Sequence, residues 1–145
     1  EYNIRMGDPE CQVILPRLKT DLIKIFNSAV SNKLGKMKIV WKKRKSMTVV
    51  LCAKGYPGNY KKNIKINNIN KIKISKSDYI YHAGTKYNKS QLLSNGGRVL
   101  NITSTGNNFF KIRKKIVKII KKLNWKSGFY RKDIGWKIIN KNENN

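Results

Sequence analysis

The chain has 145 residues, the length of a single domain, and its 33 basic and 7 acidic residues give a net charge of +26. Hydrophobic residues make up 39% of it, too many for an intrinsically disordered tail. The longest apolar runs, Val13–Pro16 and Val49–Ala53, are far shorter than the roughly 20 residues of a membrane helix, so no transmembrane span is predicted.

The opening residues contain neither the basic nor the apolar region of a secretory signal. The two cysteines, Cys11 and Cys52, are too few for a disulfide framework, and Cys52 is expected to be a buried free thiol. We therefore expect a cytoplasmic location. Because the chain begins without methionine, we also expect it to belong to a longer protein.

The first 35 residues predict a strand and then a helix. Residues 1–6 alternate polar and apolar side chains, which is the period of a half-buried strand, and Gly7-Asp8-Pro9 ends it. Residues 10–31 place apolar side chains on one helical stripe. Pro16 marks either the first turn of this helix or a kink in it.

The middle of the chain predicts a run of antiparallel strands. Met47–Ala53 is rich in β-branched residues, and isoleucines alternate with polar residues at 64–66 and 72–74. Further strands are predicted at 79–83, 91–93 and 98–105, with the turn Asn95-Gly96-Gly97 between the last two.

A second helix is predicted from residue 107 to residue 123, with an isoleucine-rich stripe and lysines on its other faces. Such a helix can lie on a membrane, but packing against a core is the simpler interpretation. In the tail, the aromatic side chains of Phe129, Tyr130 and Trp136 are expected to dock on the core.

The net charge invites a nucleic-acid interpretation, which the composition weakens. There are 27 lysines against 6 arginines, whereas phosphate and base recognition favour arginine. Lysine, asparagine and isoleucine together supply 64 residues, as an A+T-rich coding sequence would, so much of the charge is interpreted as compositional bias. Residues 1–35 carry 5 basic and 4 acidic residues (net +1), and residues 36–145 carry 28 and 3 (net +25).

Three polar side chains of the opening segment would share one face of the predicted strand, because Glu1, Asn3 and Arg5 are spaced by two. Carboxylate and amide oxygens suit Mg²⁺, and an arginine can hold a carboxylate or phosphate through two hydrogen bonds. From spacing alone, an ordinary strand with one polar face is the favoured interpretation. His82, without a carboxylate or cysteine at a readable spacing, is expected to be packed or hydrogen-bonded.

Seven blocks in order give a more specific indication. The blocks are EYNIRMGDPECQ (1–12), LPRLKTDL (15–22), TVVL (48–51), GYPGNY (55–60), HAGT (82–85), NGGRVL (95–100) and YRKDIGW (130–136). Together they resemble the glycinamide ribonucleotide synthetase (phosphoribosylamine–glycine ligase) family of the ATP-grasp superfamily, over residues 1 to about 139.

The resemblance implies an α+β fold in three parts. Residues 1–35 would be the strand and helix that end an ATP-grasp module. Residues 36–139 would be the family's C-terminal domain, a small antiparallel sheet or partial barrel of the rudimentary hybrid-motif type, packed with one long helix. Residues 140–145 would be a frayed tail.

The resemblance also implies a ligase of de novo purine (IMP) biosynthesis that joins glycine to 5-phosphoribosylamine and splits ATP, its co-substrate, to ADP and phosphate. Glu1 and Asn3 match the family's Mg²⁺ (or Mn²⁺) ligands. Arg5 would be the catalytic and substrate-facing arginine, and Asp8 and Arg98 would bind substrate. For Asp8 a structural role in the turn is an equal expectation, and for Arg98, in the Asn95–Arg98 turn, a structural role is at least as much expected.

These residues contain no glycine-rich phosphate loop, and they lack the family's amino-terminal domain and most of its ATP-grasp module. The missing N-terminal part of the same enzyme is therefore an expected partner, whereas a specific nucleic acid and a membrane are not. The alternatives are a basic β-domain that binds nucleic acid and an inactive remnant of the ligase.

Overall fold

The computed structural model describes residues 4–141, which form a mixed α/β fold. The helices are α1 (Glu10–Ile14), α2 (Leu22–Val30), α3 (Phe109–Leu123) and α4 (Trp136–Lys141). The strands are β1 (Lys45–Ala53), β2 (Asp78–His82), β3 (Thr85–Asn88), β4 (Gln91–Ser94), β5 (Arg98–Gly106) and β6 (Gly128–Phe129). Among the described residues, no helix has the length and apolar character needed to cross a bilayer.

The main sheet has four antiparallel strands in the order β2-β5-β1-β6, and β3 and β4 form a separate hairpin. Burial alternates along β1, so that Met47, Val49, Leu51 and Ala53 are buried. This alternation is what a strand with one core face requires. The predicted antiparallel sheet is confirmed.

Helix α3 covers the core face of the sheet. It begins at Asn108, whose side chain accepts a hydrogen bond from the Lys111 backbone N–H, and it ends at Asn124 in the left-handed conformation. The stripe that faces the core is fully or nearly fully buried and consists of Ile112, Ile116, Ile119, Ile120 and Leu123. The predicted long helix is therefore confirmed, with its lysines outside.

The prediction of one continuous helix over residues 10–31 is wrong, because the structure has two helices there with an interruption between them. Residues 15–17 form a single 3₁₀ turn that contains Pro16, and Leu18 and Asp21 are extended before α2 begins. The extended stretch pairs with residues 40–42, since Lys19 N–H donates to the Val40 carbonyl (3.0 Å) and Lys42 N–H to the Arg17 carbonyl (2.7 Å). Asp21 then caps α2 by accepting from the Lys24 N–H.

Three other predictions differ from the structure. The strand over 1–6 falls partly outside the described residues, and Ile4 and Arg5 form a bend. The isoleucine runs at 64–66 and 72–74 are not strands, apart from an isolated bridge between Lys65 and Leu93. Of the three tail aromatic side chains predicted to dock, Tyr130 packs against the core, while Phe129 and Trp136 are exposed.

Asp78, at the start of β2, is a buried carboxylate held by serines. Its oxygens accept from the Ser104 hydroxyl (2.5 Å), the Ser75 hydroxyl (2.6 Å) and the Ser75 N–H (3.2 Å). Burial alone would raise the pKa of Asp78, but these hydrogen bonds, with the positive charge of Lys115, lower it below its ordinary value. The ionised carboxylate therefore stabilises the fold.

We predict that Asp78→Asn lowers the free energy of unfolding at pH 7 by about 1.5–3 kcal/mol, the contribution of hydrogen bonds to a charged group. Because the pKa of Asp78 is lower in the folded state, this contribution is complete above the unfolded pKa and is lost as the pH falls through the folded one. Urea unfolding of both proteins at a series of pH values from neutral to strongly acidic measures it. Asp133→Asn is the control; the pKa of Asp133 is also lowered, but its ion pair with Arg131 is exposed, so we expect a much smaller loss of stability. A difference between wild type and Asp78→Asn that does not change with pH contradicts the prediction.

Candidate functional site

The face of the main sheet opposite α3 carries polar side chains and is covered by the N-terminal segment. Thr48 pairs with Thr103 and Val50 with Asn101 on this face, and the Thr103 hydroxyl donates to the Thr48 hydroxyl oxygen at 2.8 Å. Asn101 and Thr103 are fully buried although both are polar. Helix α1 contacts β1 and β5 here.

Asp8 ties the N-terminal segment to strand β5 through its side chain and its backbone. Its Oδ1 accepts from Asn101 Nδ2 (3.1 Å) and from Gln12 Nε2 (2.8 Å). Its peptide carbonyl accepts from Arg98 Nη1 at 3.0 Å, and Arg98 Nη2 lies 3.6 Å from Asp8 Oδ2. Two residues predicted to bind substrate, 90 positions apart, are thus brought together.

This ion pair lies at the surface, with the Arg98 and Asp8 side chains 45% and 38% exposed. An exposed pair stabilises little by charge alone, so its effect is mainly on geometry. The hydrogen bond from Nη1 fixes the guanidinium plane, while its exposed part keeps donors available to a bound anion.

The structure does not bring all predicted site residues together. The Arg5 guanidinium is exposed and donates to the carbonyl of its neighbour Met6 at 3.2 Å. Glu1 and Asn3 lie outside the described residues. Within residues 4–141, no group of three or more histidine, cysteine, aspartate or glutamate side chains is arranged to hold a metal ion.

A cleft of 310 Å³ lies beside Pro9 on the same face of the sheet. It joins four of the sequence blocks, because residues of the blocks at 1–12, 48–51, 55–60 and 130–136 all contribute to its wall. Its lining comprises Pro9, Thr48, Val50, Cys52, Tyr56, Pro57, Phe129, Arg131 and Ile134. A mostly apolar cleft with one arginine and a nearby guanidinium is suited to a small ligand with an anionic group.

Two charged or reactive groups of this cleft are restrained. Arg131 forms an exposed ion pair with Asp133 (Nη2 to Oδ2, 2.5 Å), and the hydrogen bond from Arg131 lowers the pKa of Asp133. Burial raises the pKa of the Cys52 thiol, although the charge of Arg98 acts in the opposite direction. Cys52, half-buried rather than buried as predicted, therefore stays protonated and is a poor nucleophile.

The turn that precedes Arg98 is held by backbone contacts. Gly84 N–H donates to the Arg98 carbonyl at 2.8 Å, and Ala53 N–H donates to the Gly97 carbonyl at 2.8 Å. A Cβ at Gly84 would lie 2.6 Å from the Gly96 Cα, and a Cβ at Gly97 would lie 2.0 Å from the Tyr56 ring. The GYPG and NGGR segments thus position each other.

His82, the single histidine, is exposed and shares a hydrogen bond of 3.0 Å with the Thr85 hydroxyl. Asn101 and Gln12 are functional candidates that the sequence reasoning missed. The available signal was an asparagine in the middle of an otherwise apolar and hydroxyl-bearing strand, since a buried amide requires a partner.

Residues 46–137 match the family described as Phosphoribosylglycinamide synthetase, C domain. The chain belongs to the phosphoribosylglycinamide synthetase family. The match includes Arg98, Tyr56 and Arg131, while Asp8 lies in the segment before it.

Curated relatives extend the similarity to the whole chain. A phosphoribosylamine–glycine ligase of Brucella melitensis is 39% identical over 145 residues (100% of this chain, 34% of that protein). That of Agrobacterium fabrum is 42% identical over 139 residues (96% and 32%), and a chloroplastic one of Arabidopsis thaliana is 36% identical over 141 residues (96% and 26%). The chain spans about a third of the length of the relatives it matches.

The fold is similar to the crystal structure of phosphoribosylamine–glycine ligase from Thermotoga maritima. The TM-score is 0.68 at 30% identity, and the match covers 92% of this chain and 32% of that one.

We predict that Gly97→Ala lowers the free energy of unfolding by about 1–3 kcal/mol, because the added methyl group displaces the Tyr56 ring from a close-packed contact. Gly35→Ala is the matched control, since a Cβ there meets nothing within 4 Å; we expect it to be neutral or to stabilise by up to about 1 kcal/mol. Urea unfolding measures both. Equal stability of the two variants would show that the Tyr56 contact is not restrictive.

Proposed function

We propose that this chain is the C-terminal part of a phosphoribosylamine–glycine ligase, which joins glycine to 5-phosphoribosylamine with cleavage of ATP to ADP and phosphate. The family match over residues 46–137 supports this proposal most strongly. The meeting of Asp8 with Arg98 beside an apolar cleft adds chemical support, because the reactants are small and anionic. We place the reaction in the cytoplasm.

The division of the chain follows the same proposal. Residues 1–35 would complete an ATP-grasp module, residues 36–139 would form the C domain of rudimentary hybrid-motif type, and residues 140–145 would be a tail. In this arrangement the C domain forms a wall of the active site, and most contacts to ATP belong to the remaining two-thirds of the enzyme.

Arg98 would hold a carboxylate or phosphate of a substrate through the donors that Asp8 does not use. Asp8, which fixes the guanidinium plane and receives hydrogen bonds from Asn101 and Gln12, would orient Arg98. Arg5 would face the reacting acid, where its charge stabilises the negative charge that develops during acyl transfer. Positioning of this kind is the main contribution a protein makes to phosphoryl chemistry.

Glu1 and Asn3 would hold Mg²⁺ or Mn²⁺. A carboxylate and an amide oxygen fit a hard cation that keeps water and phosphate oxygens as its other ligands. When bound, the ion neutralises negative charge on the phosphates of ATP.

The nucleic-acid alternative requires aromatic side chains that are free to stack on bases. On the main sheet, Tyr79 and Tyr81 are half-buried and stack on each other, with ring centroids 5.8 Å apart. The large exposed aromatic side chains of the described residues each belong to a different element or segment and so form no common stacking face; they are Phe26, Trp41, Tyr87, Phe110, Phe129 and Trp136. The remnant alternative shares the fold of the ligase and is distinguished by activity.

We predict that a chimera in which this chain replaces the matching segment of the Agrobacterium fabrum ligase forms glycinamide ribonucleotide in an ATP-dependent reaction. Release of phosphate that requires both glycine and 5-phosphoribosylamine measures it. In this chimera, Glu1→Gln should raise the Mg²⁺ concentration needed for half-maximal activity. A folded chimera without turnover would indicate the inactive remnant.

We predict that Arg98→Gln in the same chimera lowers kcat/KM by roughly 10–100-fold, the value of about one to two charge-assisted hydrogen bonds. The loss should come mainly from a higher KM for one anionic substrate, because the donors that hold its negative group are removed. Arg44→Gln, at an exposed position outside the sequence blocks and the cleft lining, is the matched control and should leave both constants unchanged. Equal KM values for all substrates in the two variants would remove Arg98 from the binding site.

A further inference from the structure

A second pocket, of about 540 Å³, lies where the chain leaves β1 and where it enters β6. Its apolar lining consists of Tyr60 and Ile64, which are half-buried and pack against the core. The Lys54 N–H donates to the Ser127 carbonyl at 2.9 Å, which joins the two sides of the pocket. The remaining lining is cationic or polar and comprises Lys54, Asn59, Lys61, Lys126 and Ser127.

The charge of this pocket is entirely positive. Lys54, Lys61 and Lys126 reach it from three different segments, and no acidic residue lines it. Within residues 4–141, the ion pairs involve Arg98 and Arg131 and none of these lysines. Three ammonium groups around one small apolar surface create a positive potential that a group with two negative charges would neutralise best. A phosphate monoester has such a group, whereas a carboxylate carries one charge.

The loop that carries Asn59 and Tyr60 is held in place by its own backbone. Gly55 has a φ of +96°, and a Cβ there would lie 2.0 Å from the Asn59 carbonyl oxygen, so the loop turns back on itself in a way that only glycine permits. The Asn59 amide and the Tyr60 ring are therefore positioned before any ligand arrives, which lowers the entropy lost on binding.

The pocket is separate from the cleft beside Pro9. No residue lines both, although the two lie on either side of one aromatic contact. Tyr60 lines the pocket and Tyr56 lines the cleft, and their rings meet edge to face with centroids 6.1 Å apart. A ligand on Tyr60 would therefore occupy a different site from the one that the proposed function requires.

We propose that this pocket is a second ligand site, which binds a phosphate monoester with a small ring-containing body. The ring packs on Tyr60 and Ile64, where apolar surface leaves water. The phosphate oxygens accept hydrogen bonds from the three lysines, and the Asn59 amide and the Ser127 hydroxyl offer further donors. Because none of these residues has a role in the proposed reaction, binding here does not depend on ligase activity.

The test is an isothermal titration of the 145-residue chain with phenyl phosphate, at an ionic strength of about 0.15 M that screens the general field of the protein. Phenyl phosphate should bind about tenfold more tightly than inorganic phosphate or phenol, because only it occupies both parts of the pocket. The double variant Lys54→Gln, Lys61→Gln should weaken this binding by about tenfold. The matched double variant Lys36→Gln, Lys38→Gln removes the same charge at exposed positions outside the pocket and should leave it unchanged.

Equal losses in the two double variants would show that net charge alone attracts the anion, and they would overturn the proposal. Absence of binding, or equal binding of phenyl phosphate and inorganic phosphate, would overturn it as well. Backbone-amide chemical shifts of the unaltered chain provide a second measurement that requires no variant to fold. Phenyl phosphate should shift the amide resonances of Asn59, Lys61 and Ser127, whereas shifts confined to Arg98 and Arg131 would assign the anion to the cleft and contradict the proposal.

Discussion

Two hydrogen bonds from strand β5 to Asp8 hold together parts of the chain that are 90 and 93 residues apart. The Asn101 amide donates to the Asp8 carboxylate from a fully buried position, so loss of the carboxylate would leave a buried donor without its partner, at a cost of about 1–3 kcal/mol. Arg98 donates to the neighbouring peptide carbonyl from the surface. One residue therefore connects the buried face of the sheet with the exposed guanidinium.

The contacts of Asp8 place the candidate site on the polar face of the main sheet. The face that packs on α3 is apolar and serves stability, whereas the opposite face carries Asn101, Thr103 and Thr48 and is covered by the N-terminal segment. The bulge between Leu51 and Cys52 places Arg98 opposite Cys52 at the end of that face. Bulges commonly redirect a strand near functional residues.

The sequence predicted the elements whose pattern is set by the core. β1, β5 and α3 bury large apolar stripes, and their bounds lie within a few residues of the predicted ones. The isoleucine run at 64–66 does face the core and bonds to β4, since Ile66 N–H donates to the Leu92 carbonyl and Ser94 N–H to the Ile64 carbonyl, but this pairing is limited to an isolated bridge. The run at 72–74 follows a 3₁₀ turn and forms no strand; its alternation reflects a composition rich in isoleucine, lysine and asparagine. The helix over 10–31 failed because Pro16 and a capping Asp21 interrupt a periodic pattern.

The candidate site could be predicted only in part, because it depends on contacts between residues that are far apart in the sequence. Spacing along the chain identifies side chains that share a strand face, but no spacing rule joins Asp8 to Arg98 across 90 residues. The resemblance implies their proposed roles, and only the structure shows that they are in contact. Asn101 was missed because a buried asparagine does not fit the apolar pattern by which a strand is predicted. In the structure, its side chain donates a hydrogen bond to Asp8 and so binds the N-terminal segment to β5.

The close approach of Gly84 to Gly96 limits the substitutions that this part of the fold accepts. Main-chain atoms already touch there, so neither position accepts even a methyl group without movement of the turn. The turn is therefore a rigid support for Arg98, which follows it. A larger cleft would therefore require substitutions in its wall, at Tyr56 or Pro9, because the turn cannot move aside.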